Sequence, residues 1–161
     1  MFDEKDLILD AKHVTRKFPV SNHRTLVACN DINLKLYKRI TLGLVGESGC
    51  EKSTFMRFLV SLDTPTEGEI LFHGKDITKM KGEELRQNRQ KIQMVFQDPY
   101  ASLNPRMTVS QTIMDPMKIY KTGTAEEMQQ RVYELMELTG LDKRFAKRFP
   151  HEFSGGQRQR I

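Results

Sequence analysis

Residues 46–54, GESGCEKST, put a lysine, three hydroxyl side chains and two glycines into one short stretch. Such a set suits a polyphosphate. Glycine lets the backbone approach closely, while backbone N–H groups and the positive end of a following helix surround an anion. The pattern G-x-x-x-x-G-K-[ST] is met at Gly46, Lys52 and Ser53. Lys52 is placed to reach β and γ phosphates, and the Ser53 hydroxyl to ligate Mg2+. Ser48, Gly49, Cys50 and Thr54 complete the expected lining. One position fails, since Glu51 stands where the pattern asks for glycine. A side chain there restricts the backbone, and its charge sits beside the phosphates. A like-charge pair about 4 Å apart at an effective dielectric near 20 costs at most about 4 kcal/mol.

The elements that must position this loop are legible from periodicity. Alternation through Leu7 and Leu9, and again through Ile32, Leu34 and Leu36, predicts half-buried strands. The apolar run ITLGLV, 40–45, predicts a fully buried strand that stops at Gly46. From Ser53, STFMRFLVSL predicts a helix ending before the turn residues Thr64-Pro65-Thr66-Glu67-Gly68. EILFH, 69–73, reads as a strand, Gly82 to Gln90 as a charged helix, and IQMVF, 92–96, as a second buried strand. The prolines and Asn104 of DPYASLNPRM predict a long irregular loop. Thr124 and Glu127 form a capping box ahead of Ala125, Met128, Val132, Leu135, Met136 and Thr139, a helix closed by Gly140. The second half is helical in character.

Composition bounds the rest. The chain has 161 residues, 38% of them apolar, with 26 Lys plus Arg against 21 Asp plus Glu, a net charge of +5. That suits one ordinary domain and permits, without requiring, contact with nucleic acid or anionic lipid. Cys29 and Cys50 match neither a disulfide framework nor a zinc spacing, which points to a reducing compartment. The opening MFDEKDLILD is acidic where a secretion signal is basic and then apolar, and no apolar run approaches the roughly 18 residues that cross a bilayer. Any membrane role is therefore expected to be peripheral. His13, His23, His73 and His151 have no ligand spacing. Lys143, Arg144, Lys147 and Arg148, interleaved with Phe145 and Phe149, read as a solvated helix face with two core aromatics rather than as an RNA-binding stripe, so no nucleic-acid partner is expected.

A second motif narrows the reading. In HEFSGGQRQRI, Ser154, Gly155, Gly156 and Gln157 form a small loop ahead of a helix start that can face an anion. With the first loop, this resembles the ATP-binding subunits of ABC transporters, whose signature is LSGGQ; Phe153 replaces the leucine. VFQDPYASLNPRMTV, 95–109, looks like the Q-loop region of oligopeptide and dipeptide importer ATPases, in particular their second ATPase subunit. The resemblance covers essentially the whole chain. It implies an α/β P-loop NTPase fold, an ABC-type nucleotide-binding domain with an antiparallel β subdomain. It divides the chain into a β-rich and P-loop core portion, 1–97, and a helical subdomain with the signature, 98–161. It implies ATP and Mg2+ as cofactors, Phe18 stacked on adenine, and Gln97 holding Mg2+ and the attacking water. Ser154, Gly155, Gly156 and Gln157 would close over a nucleotide on a second ATP-binding subunit in a head-to-tail dimer. The partners implied are transmembrane permease subunits, with a substrate-binding protein involved only indirectly. The place implied is the cytoplasm, on the inner face of the cell membrane.

The resemblance also implies departures. The Walker B carboxylates and the switch histidine would follow the signature helix, and Ile161 comes first. Arg39 and Ser61, like Glu51, stand where glycine is usual in the family. The expectation is therefore an incomplete domain with an impaired phosphate loop and exposed apolar edges, the product of a decayed or interrupted gene. Two alternatives stay open. One is a non-catalytic module that docks on membrane subunits. The other, less favoured, is a small P-loop phosphotransferase or GTPase using Asp98 of MVFQD for magnesium.

Overall fold

The computed structural model describes residues 3–20 and 24–161, so His23 lies outside the described residues. Residues up to Met94 and Val95–Ile161 form two compact units.

The first unit is built on two long strands, β1 (Leu7–Val20) and β2 (Arg24–Tyr37), followed by β3 (Glu67–Phe72) and β4 (Lys75–Asp76). They form one antiparallel sheet in the order β2-β1-β3-β4. The central strand β1 buries Leu9, Asp10 and Ala11 in succession, as a strand covered on both faces must. Its pairing with β2 shifts register between Ala11 and Val14, where His13 (φ 53°) and Asp31 (φ 50°) take left-handed backbone, the mark of a bulge. Helix α1 (Lys52–Leu59) supplies Phe55 and Phe58 to the core formed with Leu9, Val14, Ile70 and Phe72. Helix α2 (Gly82–Lys91) buries only Asn88.

Two expected strands are absent. Residues 40–45 are irregular and exposed, Val45 to 93% of its surface; residues 92–96 are irregular too, with Ile92 and Met94 half-buried and Val95 94% exposed. An apolar β-branched run becomes a strand only where a neighbour accepts its backbone hydrogen bonds. Neither run pairs with the four-stranded sheet of the described residues.

The second unit is helical: α3 (Pro99–Ser102), α4 (Val109–Tyr120), α5 (Ala125–Leu138) and α6 (Gly155–Arg158), with single 3-10 turns at Lys143–Phe145 and Pro150–Glu152. Helix α5 begins at the expected capping box, and Val132 and Met136 are fully buried. Helix α4 begins at a second such box, Thr108 with Gln111, a signal of the same form. The DPYASLNPRM segment is less irregular than expected, because α3 forms one turn within it and proline is tolerated at a first helical position. Beyond α3, Asn104 turns the chain by accepting the Arg106 and Met107 amides. Val109, Val132, Met136, Leu141 and Phe153 form this unit's own core.

Candidate functional site

The phosphate loop leads directly into α1, so the helix half of the expected strand-loop-helix arrangement is present and the strand half is not. Residues 46–50 are exposed. Gly49 turns the chain at φ +83°. A Cβ on Gly46 would lie 2.6 Å from Cys50 Sγ, so a larger residue there requires the Cys50 side chain to turn away. Lys52 Nζ folds over the loop and donates to the carbonyls of Gly46 and Glu47, each at 2.6 Å, and lies 3.2 Å from Cys50 Sγ. Ser53 is exposed at the second position of α1, and Thr54 is half-buried.

The start of α1 is unlike those of α4 and α5. Its flanking residue, Glu51, has left-handed backbone (φ 61°, ψ 22°) and makes no capping bond. The first amides of the helix therefore lack a side-chain acceptor, which suits them to an anion. The Glu51 carboxylate instead accepts the Thr54 hydroxyl. The buried Cys29 thiol of β2 is pushed up by burial and, less strongly, by the charge of Glu51. Arg39 (φ 60°) and Ser61 (φ 55°) share the left-handed backbone. All three positions that the family resemblance assigns to glycine thus have a conformation that favours glycine.

Phe18 lies near the end of β1, half-buried and outside the core, with the Arg16 guanidinium 4.6 Å from its ring centroid. Residues i and i+2 of a strand share a face, which brings this pair together. Gln97 is exposed in irregular chain rather than at a strand end. In the signature loop, Ser154 accepts the Gln157 amide at 3.4 Å, and Gln157 Oε1 accepts the Ser154 amide at 3.0 Å. Ser154, Gly155 and Gly156 are exposed, while Phe153 is buried edge-on to Phe145. The loop is thereby anchored by the helical core at one end and capped by its own side chain at the other. Gln97 and this loop belong to the second unit, and Lys52 with its loop to the first. Among the described residues no group of three His, Cys, Asp or Glu could hold a metal, and no helix is long and apolar enough to cross a membrane.

The residues present fit a phosphate chain. A lysine, a hydroxyl at the second helical position and uncapped amides converge at one helix start, with Glu51 as the discordant group. Comparison with known proteins points the same way. The chain is 50% identical to the oligopeptide transport ATP-binding protein OppF of Bacillus subtilis over 96% of its own length and 51% of that protein. It is 46% identical to AppF of the same organism over 98% and 50%. It thus spans about half the length of the curated relatives it matches. Among solved structures, the ATP-binding cassette MJ0796 bound to ADP and Pi superposes with a TM-score of 0.82 at 30% identity, over 95% of this chain and 66% of that one. The model of the ABC transporter family matches residues 29–161. A phosphate loop at a helix start, an SGGQ loop at another and this match over most of the chain lead to one conclusion: the chain belongs to the ABC transporter family.

Proposed function

We propose that these residues are the nucleotide-binding part of an ATPase subunit that energises peptide uptake, with a phosphate loop weakened by Glu51. The observation that carries this reading is Lys52, held 2.6 Å from two carbonyls of its own loop at the head of an uncapped helix. On binding, its ammonium exchanges those carbonyls for phosphate oxygens, and the first amides of α1 donate to the same anion. Ser53 is proposed to hold Mg2+, which when bound offsets phosphate charge, and the family resemblance gives Gln97 a like role. Phe18 would stack on adenine, its Arg16 partner adding a cation beside the base. Ser154, Gly155, Gly156 and Gln157 would face the nucleotide of a second ATP-binding subunit. The helical unit would meet transmembrane permease subunits at the inner face of the membrane, and a substrate-binding protein would act only through them. The names of OppF and AppF, oligopeptide transport ATP-binding proteins, support the peptide assignment.

Calorimetric titration with Mg·ATP tests the site. Lys52→Ala is expected to abolish measurable binding, and Glu51→Gly to tighten it about tenfold or more by removing charge and backbone strain. Equal affinity of the native chain and Lys52→Ala would refute the site. Magnesium-dependent turnover that is lost in Lys52→Ala would favour the ATPase reading over a docking module. The non-catalytic docking module predicts instead binding to permease subunits with no response to ATP.

A further inference from the structure

The phosphate loop uses its own donors on itself, and one of these contacts exists because residue 51 is an acid. Thr54 Oγ1 donates to Glu51 Oε2 at 2.5 Å. Both residues are half-buried, and the carboxylate lies within electrostatic reach of buried Cys29. The contact does not cap the helix. At α5 the hydroxyl precedes the helix and accepts an amide, while the acid three residues on accepts the amide before the helix. At α1 the order is reversed, acid first and hydroxyl third, so the two side chains satisfy each other and no helix amide is relieved.

We infer that Glu51 is an intramolecular competitor for phosphate, holding the Thr54 hydroxyl so that a polyphosphate entering the loop must displace the carboxylate. The inference rests on the reading of this loop as a nucleotide site and says how that site is weakened. It differs from charge repulsion, which acts on the ligand whether or not residue 54 carries a hydroxyl. Under competition the Thr54 hydroxyl becomes available to a phosphate oxygen only after Glu51 is removed.

The test is a double-mutant cycle of Glu51→Ala and Thr54→Val in the full chain. Alanine retains a Cβ at left-handed φ, so relief of backbone strain does not enter. The cycle is read first by urea unfolding without ligand, where the two substitutions should be non-additive because they share one hydrogen bond. It is read again by calorimetric titration with Mg·ATP. There Thr54→Val should weaken binding about tenfold in the Glu51→Ala background, the scale of a hydrogen bond to a charged group, and several-fold less with Glu51 in place. Additive unfolding effects would overturn the contact. Non-additive unfolding with the same loss of ATP affinity in both backgrounds would overturn the competition. If Lys52→Ala leaves ATP affinity unchanged in every background, the nucleotide site itself fails and the competition with it.

Discussion

At the scale of single residues, left-handed backbone is the recurring constraint. Arg39, Glu51 and Ser61 have φ between 55° and 61°, and each L-residue there costs about 1–2 kcal/mol, partly offset by the chain entropy that glycine would add to the unfolded state. Arg39→Gly should therefore raise stability modestly, by about 0.5–1 kcal/mol. Ser61→Gly should raise it more, because the Ser61 hydroxyl is also buried without a partner. Thermal melting of the two variants checks the order. Gly68 is the converse case. It sits at φ +92°, and an added Cβ would come 2.4 Å from the His13 carbonyl at the β1 bulge. Gly68→Ala should cost about 3 kcal/mol or more, visible as a lowered urea midpoint. The resemblance marked positions 39, 51 and 61 as places for glycine. Positive φ at His13 and Asp31 was not legible, because a bulge is set by how two strands register and not by either strand's own residues.

At the scale of elements, caps were the most legible feature, since they depend on residues three apart. Thr124 with Glu127 gave the start of α5, and the SGGQ loop was expected ahead of a helix start, its Ser154–Gln157 capping pair being visible only in the structure. Thr124→Ala should cost about 1 kcal/mol, measured by urea unfolding. Two ion pairs stand at the end of α5 and just beyond it. Asp142 is held down to about 2, first by its side-chain bonds to Arg144 and then by the Arg144 amide. Glu137 is lowered by Lys143. A carboxylate whose folded value lies below its ordinary one adds stability that is complete above the ordinary value and disappears as pH falls through the folded one. The melting temperature should therefore decline between about pH 4 and pH 2, and Asp142→Asn should flatten the decline. The runs 40–45 and 92–96 mark the limit of such reading. Hydrophobicity indicates that a strand is possible, but the partner that makes it one lies elsewhere in space.

At the scale of the whole molecule, each unit closes its own core. Met136 is fully buried in the helical one, and Met136→Ala should cost that unit about 2–5 kcal/mol. Limited proteolysis should then cut first within 95–161 and leave the sheet protected longest. The family was legible in two short loops because phosphate chemistry constrains residue type at fixed spacing. The donor arrangement was not, since neither the retreat of Lys52 onto Gly46 and Glu47 nor the bond from Thr54 to Glu51 follows from spacing. The solvent-facing run 40–45 carries a last consequence. It is uncharged, free of proline and rich in β-branched residues, and its backbone lies outside the sheet. Such hexapeptides stack into cross-β fibrils when many chains meet. At high protein concentration this chain should nucleate amyloid that binds thioflavin T, and Leu42→Lys should lengthen the lag before fibrils form.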